Sequence, residues 1–560
     1  MTLSRDPFPV TARPSPWWEV KILKPTTSGD TVFGHLSLVD VFFLTRLKNI
    51  LYFPETSVAY DFFLAFRDHV LPTCPVIDRC EMTKVYDSFC SGHVTSPLLI
   101  NSIFFSSSQY VSQESLTKAG FDSPHEAKEY FYERTTMLYA LNCEHDQLKI
   151  IQALLFISTW WSDFSEEKGT KYWISCAANL ALSMGLHKAV PVAARLSQQE
   201  RSIWRRVFWT VYSRDCNVSI AMGRPLAIHS KEIDVEELSD ADFYEGQDEI
   251  CHDRPSASHG KGRLDFTIYS NVHVFYAVKT ARQSALLTQA TSISLEMALG
   301  SEEAVKALVT CKNDTTALRA ELSDYLLRRF DAETNDEILT RTEKLWIIFL
   351  QLSTERTLSV ACLFLRRHIE RCESWHGSLS LSDVKAEMVR AAARTLNIYE
   401  ELLELGCLRY SPNFVNTPIF GAMVTYTELI KEAQEEGRVN RIATNKYQLG
   451  IMILEELEQL WPASAWACSL FKILADKDFL RLRKLPHASR WQTPDPTGEV
   501  LETTISPDGP SGGESASGFN TLQDLSPFFN NINTPSALDA MFSNDLFDPQ
   551  MWYAAAQASP

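Results

Sequence analysis

The chain has 560 residues, of which 45% are hydrophobic and 22% are charged, a composition typical of soluble globular proteins. Its 53 lysine and arginine residues stand against 70 aspartate and glutamate residues, which gives a formal net charge of −17. After Arg490 the sequence has no basic residue and nine acidic ones. Because direct phosphate contact requires a basic stripe, this composition argues against DNA binding by the chain alone.

Cysteine spacing and hydropathy argue against a secreted, metal-binding or membrane-spanning protein. The twelve cysteines include no Cys-x-x-Cys pair, the spacing typical of zinc knuckles and thioredoxin-like motifs. The N-terminus has no apolar run of signal-peptide length. The longest apolar stretch, residues 150–161, is shorter than the about 20 residues that a membrane-spanning helix needs. We therefore expect an intracellular protein that has no membrane contact and no metal site.

Composition divides the chain into three regions. Residues 1–35 are rich in proline, threonine and serine, and we expect a flexible segment there. Residues 36–485 show helical periodicity throughout. Residues 486–560 form an acidic tail that buries too little apolar surface to offset its ordering entropy, so we expect disorder. Within it, residues 536–552 alternate aspartate with leucine, methionine and phenylalanine, which is typical of activation segments that fold onto a partner.

Capping residues mark helix starts in the central region. Ser197 and Glu200 form a capping box, and the helix after them ends at Gly223. The polar residues 238–264 indicate a long loop, and strand-like alternation between tight turns is nearly absent. We predict an all-α fold, an irregular multi-helix bundle with disordered termini. Further helical runs occupy residues 125–141, 147–161, 168–184, 343–370, 381–405 and 445–461.

The segment RRVFWTVYSRDCNVSIAMGRPLAI, residues 205–228, places an acid on an apolar helical face. Phe208, Val211, Asp215 and Val218 follow 3-4-3 spacing, so the carboxylate shares a face with apolar side chains. An unpaired buried carboxylate costs on the order of several kcal/mol. We therefore expect an ion pair that pins the helix end to the next segment, whereas catalysis would need a second titratable group and an open cleft. The candidate partners are Arg205, Arg214 and Arg224.

Aromatic residues are concentrated before and within the same segment. One interpretation is core packing, and the other is a small-molecule pocket between helices, since aromatic walls with a few polar groups suit such pockets. Gln152, inside an apolar helix, is either a core amide with satisfied hydrogen bonds or one of those polar groups. The pocket hypothesis names Gln152, Trp160, Trp173 and Tyr212.

The segment 205–228 resembles the hallmark of the middle homology region of fungal binuclear zinc-cluster transcription factors, most nearly the cutinase transcription factor-like members. The segment reads Arg-Arg-x-Phe-Trp, then an aspartate six residues after the tryptophan and Gly-Arg-Pro, and Ile-Asp follows at residues 233–234. Residues 62–79, 150–158 and 172–188 resemble preceding parts of the region, so the likeness spans about residues 40–480. The matching positions are Arg205, Arg206, Phe208, Trp209, Asp215, Gly223, Arg224, Pro225 and Asp234.

The resemblance implies an all-helical regulatory domain in a nuclear transcription regulator of a metabolic or secondary-metabolite gene cluster. One departure limits it: the first cysteine is Cys74, so the family's N-terminal six-cysteine cluster has no counterpart in this sequence. Either the regulator has lost the cluster or the sequence begins downstream of it, and zinc is expected only in the second case. We therefore expect weak or indirect DNA contact, through a dimer with a zinc-cluster factor. The tail would recruit the transcription machinery, and a small-molecule inducer would act on the helical domain.

Two other classes of function remain open on the sequence. A ligand-binding or corepressor module would share the helical domain without the activating tail. A helical enzyme would need a cluster of titratable groups, and the sequence offers none. The Gly-x-Ser-x-Gly match at residues 509–513 lies in the low-complexity tail, without the strand-turn-helix that exposes a nucleophile.

Overall fold

The structure, a computed structural model, describes residues 20–22, 24–25, 33, 35–161, 167–189, 196–243, 269–330 and 341–475. The chain divides into two units, Met1–Cys468 and Ser469–Pro560. All the described residues belong to the first unit except those at the end of the last helix. The predicted acidic tail, with its segment 536–552, lies outside the described residues.

The prediction of an all-α fold is confirmed. The first part of the described chain contains nine α-helices. They are α1 Leu38–Phe42, α2 Thr56–Ala65, α3 Arg79–Cys90, α4 Pro97–Ser107, α5 Gln113–Lys118, α6 Pro124–Ala140, α7 Gln147–Ile157, α8 Thr170–Ser183 and α9 Gln198–Ala221.

Seven further α-helices lie in the rest of the described chain. They are α10 Asn271–Glu296, α11 Glu302–Phe330, α12 Arg341–Ile369, α13 Leu381–Glu404, α14 Asn416–Glu435, α15 Arg441–Glu458 and α16 Pro462–Ala475. Short turns of 3-10 helix lie at Ser230–Glu232, Asp240–Phe243, Leu408–Tyr410 and Asn413–Val415. The second of these turns falls at the start of the predicted loop 238–264, and the loop beyond residue 243 lies outside the described residues.

Two pairs of very short strands lie beside the helices. Val20–Ile22 (β1) pairs antiparallel with Tyr52–Pro54 (β3), and Lys24–Pro25 (β2) pairs in parallel with His93–Val94 (β4). β1 and β2 fall in the region that the sequence predicts to be a flexible segment. The alternation signal needs four or more residues, so strands of two or three are below its reach.

The predicted helix starts are confirmed, because the capping side chains accept the backbone N–H groups that a first turn leaves unpaired. Ser197 accepts from the N–H of Glu200, whose carboxylate accepts from the Ser197 N–H at 2.7 Å, which completes the capping box. Ser123 caps α6 ahead of Pro124, and Asp146 caps α7.

Phenylalanine rings form the centre of the first half of the domain, by which we mean the described chain up to the end of α9; the second half begins at α10. Phe104 on α4 lies with its ring centroid 5.1 to 5.4 Å from those of Phe62, Phe63, Phe53 and Phe131. All five side chains are buried. α4 packs between α6 and α7, and this arrangement buries every residue of α4. A short helix that is apolar on all sides is stable only when it is enclosed in this way.

The second half is organised around α12. This helix packs against α10, α11, α13 and α14, and α10 in turn packs against α9. By length and composition α12 is apolar enough to cross a membrane, but 83% of its most apolar stretch is buried inside the protein, as for a core helix. Its buried Glu355 accepts a hydrogen bond from Arg394 on α13 at 2.8 Å, so this interior carboxylate is paired.

Candidate functional site

The carboxylate of Asp215 on α9 is buried and accepts four hydrogen bonds. Oδ1 accepts from the ammonium of Lys171 on α8 at 2.7 Å and from the hydroxyl of Ser219 at 3.1 Å. Oδ2 accepts from the backbone N–H groups of Ala227 and Ile228, at 2.7 and 3.1 Å. Only 1% of the Asp215 side chain is exposed. These bonds join three parts of the chain, namely α8, α9 and the segment after α9, at one buried charge.

The expectation of an arginine partner for Asp215 is wrong, because the cation that contacts this carboxylate is Lys171. Arg214 precedes Asp215 by one residue, and adjacent residues on a helix point in directions about 100° apart. Arg205 lies almost three turns away, about 15 Å along the helix axis. The backbone N–H of Arg224 donates to the Ser219 carbonyl at 2.8 Å and so closes the end of α9. The neutralising charge comes from a neighbouring helix instead.

Residues 224–243, which we call the return segment, are held along α9 by a second set of contacts. The guanidinium of Arg205 lies 2.6 Å from the buried Asp242 carboxylate and 3.2 Å from that of Glu236. The indole N–H of Trp209 donates to the Glu236 carbonyl at 2.9 Å. Arg206 is buried with its guanidinium 5.5 Å from the ring centroid of Phe243. Two arginines and a tryptophan of the hallmark thus bind the return segment to one face of α9.

The remaining hallmark residues shape the turn between α9 and the return segment. Gly223 has a φ of +58°, a left-handed conformation that favours glycine at a helix end. Pro225 follows, and its carbonyl oxygen lies 3.3 Å from the hydroxyl oxygen of Ser219. Asp234 is exposed, and its backbone N–H donates to the His187 carbonyl at 2.9 Å. Phe208 is fully buried in the core of the first half.

A cavity of about 120 Å³ lies between the first half of the chain and the helices after it. Its wall combines residues from α6, α7, α9 and α10 with the residues around Asn413 and with Trp461. Apolar side chains, including those of Phe156 and Phe414, supply much of the surface. No aspartate or glutamate occurs among the described residues that line it.

Two cations line this cavity. Lys128 on α6 is 7% exposed, and its ammonium lies 5.0 Å from the ring of Trp461 and 5.3 Å from that of Phe105. Burial, and then the nearby charge of Arg214, lowers the pKa of Lys128 to about 8. Burial also lowers the pKa of Arg214 to about 10. Both side chains are therefore still mainly charged at neutral pH.

The bonding partners of Arg214 are neutral. Its guanidinium donates to the Ser158 hydroxyl at 3.2 Å, to the Ser158 carbonyl at 2.9 Å and to Asn413 Oδ1 at 2.7 Å. Ser158 follows α7 and Asn413 precedes α14, so Arg214 joins the two halves of the chain across the cavity. Three of its five N–H groups are used in these bonds.

His69 completes the polar part of the wall. It lies in a turn of π-helix, Phe66–Val70, a local irregularity that often occurs at functional sites. Its ring stacks between those of Tyr110 and Tyr410, at centroid distances of 5.0 and 4.8 Å. Burial lowers the pKa of His69 to about 4, which leaves the ring neutral at pH 7. The charge of the described wall is therefore that of Lys128 and Arg214.

Residues 62–287 match the family model described as the fungal specific transcription factor domain. Over these residues, which are fewer than half of the chain, the chain is similar to the fungal transcription factors that carry this domain. The match begins in α2 and ends in α10, so it contains α9, the return segment and most of the cavity wall.

Named regulators are similar to the chain well beyond this domain. Cutinase transcription factor 1 alpha of Fusarium vanettenii is 24% identical over 77% of this chain and 44% of its own length. The acetamidase regulatory protein of Aspergillus fumigatus is 23% identical over 78% of this chain and 50% of its own length. A shorter similarity, 21% identity over 30% of this chain and 24% of the relative, links it to the fusaric acid cluster transcription factor FUB12 of Gibberella fujikuroi. The chain spans about half the length of the first two relatives.

The residues predicted to form a pocket are buried in the core of the described domain, and none of them lines this cavity. Gln152 donates to the Val76 carbonyl at 2.7 Å, whereas its buried Oε1 accepts no hydrogen bond from the described residues. Trp173 donates to the Tyr132 hydroxyl at 2.9 Å, and Trp160 stacks on the same tyrosine. Tyr212 packs beside Phe208 and Trp209. Periodicity identifies the aromatic residues that face inward, but it does not show where the packing of helices leaves a cavity.

Sequence reasoning missed Lys171 and Lys128, although one of them carried a signal. Lys128, Phe131, Thr135 and Leu138 follow 3-4-3 spacing on α6, the same pattern that distinguishes Asp215. Lys171 is the second residue of α8, where a lysine is ordinary and no spacing distinguishes it.

The described residues offer no metal centre. Among them, no group of three histidine, cysteine, aspartate or glutamate side chains is placed to hold a metal ion. Cys251, in the predicted loop 238–264, lies outside the described residues.

Removing the Asp215 carboxylate should destabilise the domain strongly. Asp215→Ala leaves the Lys171 ammonium and two backbone N–H groups without their acceptor, so we expect a loss of about 3–5 kcal/mol in the free energy of unfolding. Lys171→Met leaves the buried Asp215 carboxylate without a cation, held only by the bonds from Ser219, Ala227 and Ile228, so its loss should be of similar size, about 3–5 kcal/mol. Unfolding in guanidinium chloride, followed by circular dichroism, measures both changes in the free energy of unfolding.

The exposed Asp240 supplies the matched control for this comparison. Asp240→Ala should lie within about 0.5 kcal/mol of the unsubstituted chain, as for other surface substitutions. If Asp215→Ala were as stable as this control, the buried ion pair would not hold the return segment.

Replacing Lys128 should stabilise the domain. Lys128→Met removes a buried charge that no carboxylate offsets among the described residues, so we expect a gain of about 1–3 kcal/mol at pH 7. Below pH about 8 both the folded and the unfolded chain protonate Lys128, and the penalty of burying its charge is complete. Between pH about 8 and the usual pKa of 10.5, the unfolded chain binds more protons at this site, so wild-type stability rises. The difference between variant and wild type should therefore shrink as pH rises above about 8.

Thermal unfolding at a series of pH values measures this difference directly. Lys168→Met, at an exposed position, is the control and should not change the pH dependence. A Lys128→Met variant that is less stable than wild type at pH 7, with a difference independent of pH, would contradict the prediction.

Proposed function

We propose that the protein is a transcription regulator of the fungal-specific type that controls a metabolic or secondary-metabolite gene cluster. The match of residues 62–287 to the fungal specific transcription factor domain is the observation that carries this proposal. The names of the relatives, which refer to cutinase, acetamidase and the fusaric acid cluster, support a role in metabolic gene control.

The geometry of α9 favours regulation over catalysis. Both carboxylate oxygens of Asp215 are occupied by donors of the protein itself, two of which are backbone N–H groups. A general base needs an oxygen that can reach a substrate proton, together with a second group of shifted pKa in a cleft. The hallmark charges serve to hold the return segment, which is an architectural role. A helical enzyme is therefore the weaker alternative.

Contact with DNA would come from outside the helical domain. The chain is acidic overall, and the buried cations of the cavity cannot contact a phosphate backbone. A dimer with a zinc-cluster factor, or a zinc cluster preceding the domain, would supply DNA recognition. On this proposal the protein acts in the nucleus, and its acidic tail binds the transcription machinery.

The tail can be tested with the chain fused to a heterologous DNA-binding domain. The fusion should activate a reporter gene, and deletion of residues 536–552 should reduce activation several-fold because the apolar residues of that segment make the partner contact. Deletion of residues 505–521, an equally long and largely polar stretch of the tail, is the matched control and should change activation little. Reporter output normalised to protein level is the measurement.

The alternative is a ligand-binding or corepressor module. It predicts no activation by the fusion, or activation that both deletions leave unchanged, and either result would contradict the role of the tail. Sequence-specific binding of DNA by the purified chain alone, in an electrophoretic mobility assay, would contradict the need for a DNA-binding partner.

A further inference from the structure

The cavity between the two halves of the domain has the character of an anion site. Lys128 and Arg214 both line it, and no carboxylate lines it among the described residues. No ion pair to either side chain occurs within the described part of the chain. Partly buried cations such as Arg205 and Arg394 lie beside carboxylates, whereas the buried Arg134 and Arg356 donate to neutral oxygens, as Arg214 does. The cavity differs from these places in bringing two cations to one wall that has no carboxylate among its described residues.

Two uncompensated cations inside a protein are unfavourable for folding. Each bears a desolvation penalty, and the two repel each other. Cation–π contact with Trp461 and Phe105 offsets only part of the penalty of Lys128, since such contacts contribute less than a buried ion pair. A site that sacrifices stability in this way is typical of a functional site.

The hydrogen-bond donors in the cavity wall are suited to binding a carboxylate. Arg214 is fixed by Ser158 and Asn413, and its remaining N–H groups are on the two terminal nitrogens. The Lys128 ammonium has three donors and no hydrogen bond to any described residue. The buried indole N–H of Trp461 likewise has no acceptor among those residues. Charge-assisted bonds from such donors to a carboxylate are about twice as strong as neutral ones.

The apolar part of the cavity wall indicates the chemistry of the uncharged part of the ligand. Phe156, Trp209, Tyr276 and Phe414 present apolar surface to the cavity. Its volume of about 120 Å³ is comparable with that of an engineered cavity that holds one benzene molecule, about 150 Å³. A highly charged, fully hydrated anion does not match such a wall, whereas a carboxylate on a small apolar body does.

We propose that this cavity binds a small organic carboxylate, with Lys128 and Arg214 contacting its charge and the aromatic wall enclosing its body. Arg214 already joins Ser158 after α7 to Asn413 before α14, so a bound carboxylate would add a link between the two halves. That such a link regulates transcription rests on the proposed function. Binding itself does not, and it can be measured on the purified chain.

Thermal unfolding of the full chain with benzoate and with hexanoate tests the proposal. Both should raise the Tm in a saturable manner, because a ligand that binds only the folded state stabilises it. Benzamide and hexanamide, which match the probes in shape without the charge, should raise the Tm much less. Sodium chloride at equal ionic strength controls for screening.

Lys128→Met should weaken the affinity for benzoate roughly 10- to 100-fold, the loss expected for one charge-assisted contact. The variant is expected to fold at least as stably as wild type, so loss of binding cannot be attributed to unfolding. Lys168→Met, at an exposed position, should bind benzoate as wild type does.

Several results would overturn the proposal. One is a Tm shift that sodium chloride reproduces, and another is a shift that Lys128→Met leaves unchanged. A third is the lack of any Tm shift with either carboxylate at about 10 mM, which is ten times a Kd of about 1 mM. Stabilisation by inorganic phosphate but by neither carboxylate would overturn the assignment of the ligand class. Each of these readings is independent of reporter activation, so failure here is distinguishable from failure of the proposed function.

Discussion

The ion pair between Lys171 and Asp215 is the constraint on which the hallmark region depends. A carboxylate buried among apolar side chains must be neutralised, and this one is satisfied by an ammonium, a hydroxyl and two backbone N–H groups. Those backbone groups belong to the return segment, which would otherwise leave unpaired donors beside the core. One charge thereby fixes the positions of α8, α9 and the return segment together.

Two kinds of buried charge meet in the domain. Asp215, Asp242 and Glu355 each lie within 3 Å of a cation and contribute to architecture. Lys128 and Arg214 share a cavity whose described wall has no acid. The first kind resembles the ion pairs of other protein interiors, whereas the second is unfavourable for folding and is explained by a ligand. Both kinds occur on α9, where Arg214 and Asp215 are adjacent residues that point to different sides.

Much of the fold could be predicted from the sequence, because helices are specified locally. The cap at Ser197, the stop at Gly223 and the apolar period between them are all short-range signals, and each is confirmed. The similarity to fungal transcription factors could likewise be predicted, since the hallmark is a contiguous segment. The strands β1 and β2 could not, because two or three residues give no period.

The candidate site is less predictable from the sequence, for a physical reason. The burial of Asp215 follows from spacing on one helix, but its partner lies 44 residues away, and only the packing of α8 on α9 brings Lys171 to it. The cavity is likewise a product of packing between helices distant in sequence. Aromatic side chains such as Trp160 and Trp173 give the same periodic signal whether they fill a core or line a pocket. Lys128 is the exception, since its spacing alone indicates a buried charge.

Hydrogen–deuterium exchange at Ala227 and Ile228 in the return segment tests the central claim most directly, since these two amides are held by a side chain and not by regular secondary structure. If Asp215 is an architectural charge, the amides of Ala227 and Ile228 should exchange about as slowly as those in the middle of α9 and become fast in Asp215→Ala. Exchange as fast as that of an exposed loop in the unsubstituted chain would contradict this account, because the carboxylate would then be available for another role.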